Sequence, residues 1–155
     1  MELVVFFFLS WLVIGIYITL NKRIDIVANT FVFLVILVVS INFSWIIIDE
    51  LKLISTQQNW LSYTAYILNR SIIIPMLILL HLNLLIKYKS FTKKAFIFIS
   101  AVIFLLIISY ISTRLNITEF YKWTFWFEGI YYVCLNLTAL LSYTLFNRTT
   151  REASV

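Results

Sequence analysis

Long apolar runs alternate along this chain with short segments that hold nearly every charged side chain. The runs are continuous and lack the two-residue alternation of a half-buried strand. A helix of about 20 apolar residues crosses the hydrocarbon core of a bilayer, because it rises 1.5 Å per residue. The pattern therefore predicts an all-α, polytopic integral membrane helical bundle with about five transmembrane helices, at residues 3–20, 26–48, 71–86, 95–113 and 124–146.

The third run is difficult to bound, because Asn69 and Arg70 interrupt its apolar residues. Two interpretations are open. The segment 60–69 forms a short interfacial helix before the span, or it belongs to one long tilted helix that includes both parts. Pro75 predicts a kink in either case, since proline removes a hydrogen bond from the helix.

The composition agrees with a membrane location. Apolar residues make up 63% of the 155 residues and charged residues 12%, against about half and about a quarter in soluble domains. Spans and short connections use up this length, so we expect a single membrane-embedded domain over 1–155. Glu2 stands where a signal peptide carries a basic residue, which favours a retained first span over a cleaved signal.

Basic residues are divided unequally between the two sides of the predicted bundle. The side with the larger share is expected to be cytoplasmic, which predicts an outside amino terminus and a cytoplasmic carboxyl terminus. Trp11 lies in the middle of its span, where its indole N–H would need a partner helix. The larger set is Lys22, Arg23, Lys87, Lys89, Lys93, Lys94, Arg148 and Arg151, and the smaller is Lys52, Arg70, Arg114 and Lys122.

Charged residues near the outer ends of the spans are the main candidates for a ligand-binding site. Counted in helical residues from the cytoplasmic lysines and arginines, Arg70, Arg114 and Glu128 all reach about the outer interface. Together with Asp49 and Glu50 they form a predicted collar of five charges. One interpretation is that these side chains reach water and form interfacial ion pairs. The other is an outward-facing cavity in which an arginine binds an anionic headgroup or carboxylate, with Glu128 as counter-ion or proton acceptor.

His81, the single histidine, lies about two turns from the cytoplasmic end of the third span and is a further candidate for ligand binding. The alternative is a hydrogen bond to a neighbouring helix. It has no Glu, Asp or Cys at helical spacing, and Cys134 is the single cysteine, so no metal site is predicted. Small polar residues in the spans predict faces directed to the interior: Asn29, Ser40, Asn83, Cys134, Thr138 and Ser142.

These observations favour a non-catalytic accessory subunit, an anchor or a membrane sensory module, without a cofactor. The expected partners are the bilayer and a membrane protein or a second copy of the chain. Nucleic acid is not expected despite the net charge of +5, because the basic residues form no basic face. Residue usage suggests a bacterial cytoplasmic (inner) membrane.

Two alternatives remain open. One is a membrane enzyme acting on a lipid or lipid-linked substrate, although His81 and Glu128 are expected near opposite membrane faces and would not share a site. The other is a transporter or channel component formed by oligomerisation. It would need a polar lining, for which the sequence offers only scattered amide and hydroxyl groups.

Overall fold

The computed structural model describes residues 1–20, 22–57 and 59–152. Over these residues the chain forms helices and one pair of short strands, joined by short connections. Two turns of π-helix, here called π1 and π2, interrupt the α-helical hydrogen bonding. The elements are α1 (Glu2–Thr19), α2 (Ile26–Trp45), π1 (Ile46–Glu50), β1 (Ile54–Thr56), α3 (Trp60–Leu68), π2 (Asn69–Ile73), α4 (Ile74–Lys87), α5 (Phe91–Arg114), β2 (Thr118–Phe120) and α6 (Phe125–Glu152).

Five helical segments of the described chain are long and apolar enough to cross a membrane. This confirms the predicted all-helical chain with about five helices of spanning length, and it indicates a membrane protein. The segments, called the first to fifth spans below, are Glu2–Thr19, Ile26–Glu50, Trp60–Lys87, Phe91–Arg114 and Phe125–Thr150.

The third span is one continuous helical segment made of α3, π2 and α4. It therefore begins earlier than the span predicted at 71–86 and corresponds to the long-helix alternative. Pro75 has no N–H to donate to the carbonyl of Ser71. In the turn just before Pro75, the Ile74 N–H donates to the carbonyl of Asn69, five residues earlier. This i to i−5 hydrogen bond is typical of a π-helix.

The third span lies at the centre of the bundle. In its most apolar 18-residue window 67% of the residues are buried, against 17–28% in the other four spans. α4 packs against α1, α2, α5 and α6, and α3 packs against α1. The other four spans leave broad apolar faces exposed, and Trp11, at 72% exposure, lies on one of them.

The two ends of the bundle differ in structure and charge. At one end, here called the hairpin end, the two long connections meet as an antiparallel strand pair, with Ser55 opposite Glu119. β1, at Ile54–Thr56, lies in the polar connection after the second span. The other end, here called the basic end, carries Lys22, Arg23, Lys87, Lys89, Lys93 and Lys94.

A buried amide cluster, here called the Asn83 cluster, joins α4 to the start of α2 near the basic end. The Asn83 Nδ2 donates to Asn29 Oδ1 and to the Leu79 carbonyl, both at 2.9 Å. Its Oδ1 accepts from the backbone N–H groups of Arg23 at 3.2 Å and Ile24 at 3.3 Å. Asn29 also donates to the Ile24 carbonyl. The cluster thus joins the connection between α1 and α2 to the third span, which is the central helix of the bundle.

The small polar residues of the fifth span bond mainly to their own helix. Thr138 donates to the Cys134 carbonyl at 2.8 Å, and Ser142 to the Thr138 carbonyl at 2.7 Å. Cys134 is exposed, so the prediction that it marks an interior face is wrong, because the rotation of α6 turns it outwards. Ser40 does join two helices, since its hydroxyl accepts from the Tyr131 hydroxyl at 3.1 Å.

Candidate functional site

A cavity of about 60 Å³ lies at the hairpin end, between the third span and the second, fourth and fifth spans. Ile54 of β1 and Phe120 of β2 are part of its wall, so the strand pair covers it. Its polar lining is unusual for a protein interior of this composition, because it holds charges of both signs. The polar lining residues are Ser44, Tyr66, Asn69, Arg70, Ser109, Ser112, Thr118, Glu128, Tyr131 and Tyr132.

Glu128 is held in this wall by three hydrogen-bond donors. It lies in the first turn of α6, where a negative charge is favoured by the helix dipole. Its Oε1 accepts from the Tyr132 hydroxyl at 2.8 Å and from the Ser109 hydroxyl at 3.3 Å, and its Oε2 accepts from Trp123 Nε1 at 2.6 Å. Hydrogen bonds to a carboxylate are about twice as strong as neutral ones, so the orientation of the Glu128 side chain is fixed.

Arg70 and its neighbour Asn69 leave polar atoms without partners in the same cavity. The Arg70 guanidinium lies over the Tyr66 ring, 5.4 Å from the ring centroid. Its Nε and the Oδ1 of Asn69 are buried and have no hydrogen-bond partner within the described residues. Asn69 is only 6% exposed. The π turn therefore places two consecutive residues in the wall of one small cavity, and each of them has one buried polar atom without a partner.

Arg70 and Glu128 line this cavity without forming a direct ion pair. Among the side chains that the structure describes in 1–20, 22–57, 59–150 and 152, the one ion pair with nitrogen and oxygen within 4.0 Å is Arg148 with Glu152, and both of its side chains are exposed. A buried charge is costly unless a partner compensates it. The Glu128 carboxylate has three donors, whereas the buried Arg70 Nε has no acceptor within the described residues.

The other members of the predicted collar lie elsewhere. Arg114 ends α5 on the exposed surface, where its Nε donates to the Tyr110 hydroxyl at 2.6 Å and its guanidinium stacks on that ring. Asp49 and Glu50 are exposed at the end of π1. The structure thus brings two of the five charges, Arg70 and Glu128, to one cavity.

His81 is buried on α4 and is not among the residues that line this cavity. Its Nδ1 lies 2.7 Å from the Leu77 carbonyl of the same helix, and its ring centroid lies 6.1 Å from that of Phe104. The hydrogen bond expected to a neighbouring helix is therefore made within its own helix.

Several lining residues were not singled out by the sequence. The contact of Tyr132 could have been predicted, because Tyr132 follows Glu128 by four residues and so lies on the same face of a helix. Tyr131 stacks on Phe43, with centroids 4.1 Å apart and planes 10° apart. Ser112 and Thr118 share a hydrogen bond of 3.1 Å that joins α5 to β2. Trp123 does not line the cavity but donates to Glu128 from the connection before α6, and no sequence pattern predicts this contact.

No protein-family model, curated protein or solved structure matches this chain. The residues that the structure describes include no group of three or more His, Cys, Asp or Glu side chains placed to hold a metal ion. The cavity that Arg70 and Glu128 line is therefore the main structural indication of function.

Proposed function

We propose that the chain is a non-catalytic accessory or sensory protein of a membrane, which binds a carboxylate or phosphate group at Arg70. The observation that carries this proposal is the pair of buried, unsatisfied atoms, Arg70 Nε and Asn69 Oδ1, at one cavity. The division of basic residues supports an orientation with the hairpin end outside. The ligand then reaches the cavity from the outer interface.

The geometry favours a particular kind of ligand. A guanidinium offers donors in a planar fork that matches the oxygens of a carboxylate or phosphate. Asn69 Oδ1 is an acceptor without a partner, but it is fully buried, so a hydroxyl or N–H group of the ligand would reach it only after the amide turns towards the cavity. A cavity of about 60 Å³ admits the charged group of a ligand more readily than a whole lipid or sugar. The remainder would lie at the strand pair.

The same contacts support a binding role over catalysis. Both Glu128 oxygens accept hydrogen bonds from the protein, so the structure accounts for the position of this carboxylate without a substrate. Cys134 is exposed, and neither it nor His81 lines the cavity. An enzyme acting on a lipid-linked substrate therefore has less support.

A pore through one copy of the chain also has little support. The polar groups that would line it are used in contacts within the chain. Asn29 and Asn83 bind each other, and Ser40 binds Tyr131. Thr138 and Ser142 bind carbonyl groups of their own helix.

The binding proposal can be tested with the full chain in nanodiscs, using inorganic phosphate and acetate as probes. A ligand present at 100 times its Kd stabilises the folded state by about 2.7 kcal/mol. We expect one of the two anions to raise the unfolding temperature of the wild type, and Arg70→Gln to abolish that rise. Arg114→Gln is the matched control, because Arg114 also stacks on a tyrosine, at 5.2 Å, but is exposed. We expect it to leave the rise unchanged.

Equal losses in Arg70→Gln and Arg114→Gln, or no rise in the wild type with either anion, would overturn the assignment to Arg70. Arg70→Lys keeps the charge without the planar fork, so an intermediate rise is expected from it. The accessory role is tested separately, by mass spectrometry of the protein purified gently from its native membrane. A second chain at a fixed ratio supports that role, and a protein that purifies alone contradicts it.

A further inference from the structure

A groove lies at the basic end of the bundle, between the third and fourth spans. It has a volume of about 600 Å³ and runs between the end of α4 and the first turns of α5. Its inner part is apolar, formed by Leu84, Phe96 and Ile97, and Phe96 is 74% exposed. Its mouth is polar and basic, formed by Tyr88, Thr92 and Lys93. An apolar channel below a cationic mouth matches the two parts of a phospholipid.

Two ammonium groups are held at one aromatic ring in this mouth. The Nζ of Lys93 lies 5.3 Å and that of Lys87 lies 5.9 Å from the centroid of the Tyr88 ring. Lys89 and Lys94 follow in the same short segment. Lys93 lines the groove, whereas Lys87 contacts the same ring without lining it, so positive charge is concentrated at this mouth and favours an anion. The groove therefore has a charge complementary to a phosphate.

The start of α5 adds hydrogen-bond donors to the same place. Ser90 is its N-cap residue, and no side chain of the described chain caps this helix end. The first N–H groups of a helix lack partners within the helix, and they favour an anion such as phosphate. Thr92 and Lys93, which line the mouth, belong to this first turn.

We infer that the groove binds one anionic phospholipid of the surrounding bilayer. The phosphate lies at Lys93, Tyr88 and the first turn of α5, and an acyl chain lies along Leu84, Phe96 and Ile97. A soluble anion would make no contact with the apolar part of the groove. A phospholipid would contact both parts, with its phosphate at the mouth and an acyl chain along the apolar side chains. The site is at the opposite end of the bundle from Arg70, so it does not depend on the function proposed above.

The test is native mass spectrometry of the full chain in detergent, with phosphatidylglycerol or phosphatidylcholine added. We expect the wild type to retain one phosphatidylglycerol in preference to phosphatidylcholine. Lys93→Gln should weaken retention about tenfold, because it removes a charge-assisted contact to the phosphate and not only a charge near the membrane surface. Ser100→Trp should also weaken it, because Ser100 lines the groove and an indole there blocks the acyl chain without changing the charge.

Lys22→Gln is the matched control. Its Nζ lies 4.5 Å from the centroid of the Tyr17 ring at the same end of the bundle, but Lys22 does not line the groove. We expect this variant to retain the lipid. Equal weakening by Lys22→Gln and Lys93→Gln would mean general attraction to anionic headgroups and would overturn the site.

Two further results would also overturn it: equal retention of the two lipids by the wild type, and full retention by Ser100→Trp. Lys93→Arg, which keeps the charge, should restore retention and so separates lost binding from lost folding. The effect of phosphate or acetate on the unfolding temperature should be unchanged in Lys93→Gln, which keeps this test distinct from that of Arg70.

Discussion

The central helix carries two buried polar clusters that differ in how far their hydrogen bonds are satisfied. Near the basic end, the Asn83 amide makes four hydrogen bonds, two donated and two accepted. Near the hairpin end, Arg70 Nε and Asn69 Oδ1 make none within the described residues. The first cluster is fully satisfied within the fold, whereas the second has unsatisfied groups beside the cavity at which we propose that a ligand binds.

The difference has an energetic consequence. Removing one partner from a satisfied cluster leaves the others buried and unpaired, at about 1–3 kcal/mol for each group. Removing a polar group that has no partner eliminates a desolvation cost instead. Stability and function are therefore expected to separate along this one helix, as they do where a binding site is kept at the expense of stability.

The largest effect is expected from Asn83→Leu. The change leaves the Asn29 amide and the N–H groups of Arg23 and Ile24 without their acceptor or donor, so we expect the free energy of unfolding to fall by about 2–4 kcal/mol. Unfolding followed by circular dichroism in detergent measures this. Asn42→Leu is the control, because the exposed Asn42 amide donates only to the Val38 carbonyl of its own helix. A similar loss in both variants would contradict the role of the Asn83 cluster.

A smaller effect is expected from Tyr132→Phe, which removes one donor from the Glu128 carboxylate. Hydrogen bonds to charged groups contribute about 1.5–3 kcal/mol, and two donors remain, so we expect a loss of about 1–2 kcal/mol in the same measurement. Tyr143→Phe, on the same helix, is the control, since no hydrogen bond of the Tyr143 hydroxyl is seen in the described chain. If the two phenylalanine variants unfold alike, Tyr132 does not hold Glu128.

The smallest effect is expected from Arg70→Met. The substitution loses a cation–π contact of about 0.5–1 kcal/mol with Tyr66, but it also removes a buried donor without an acceptor. We therefore expect the free energy of unfolding to change by less than about 1 kcal/mol, in either direction. The stabilisation by phosphate or acetate should disappear in the same variant. A loss as large as that of Asn83→Leu would show that Arg70 is structural and would remove the contrast between the clusters.

Hydropathy was sufficient to predict the helices because continuous apolarity in lipid leaves helix as the only way to satisfy the backbone. It was not sufficient to place them. Asn69 and Arg70 resembled a boundary, since polar residues usually end a span, yet they lie within the most buried helix of the bundle. The strands at Ile54–Thr56 and Thr118–Phe120 are too short for an alternating pattern to reveal.

Counting residues from the basic end was enough to bring Arg70 and Glu128 to one depth. The same count placed Arg114 at this depth. In the structure, however, the Arg114 side chain lies on the exposed surface, where it donates to the Tyr110 hydroxyl. Depth along a helix follows from the 1.5 Å rise, whereas rotation about the axis does not. Where every face of a span is apolar, the sequence holds little information on which face turns inwards.

The central position of the third span also matters while the protein is being made. Arg70 leaves the ribosome before α5 and α6 exist, so Glu128 and Ser109 are not yet present to form the cavity wall. A charged side chain is costly in lipid when no protein groups surround it. α1 and α2, which pack against α3 and α4, are complete by then. Insertion of the third span is therefore expected to require α1 and α2 beside the translocon. Deleting these two helices should leave the third span inside the translocon or in water.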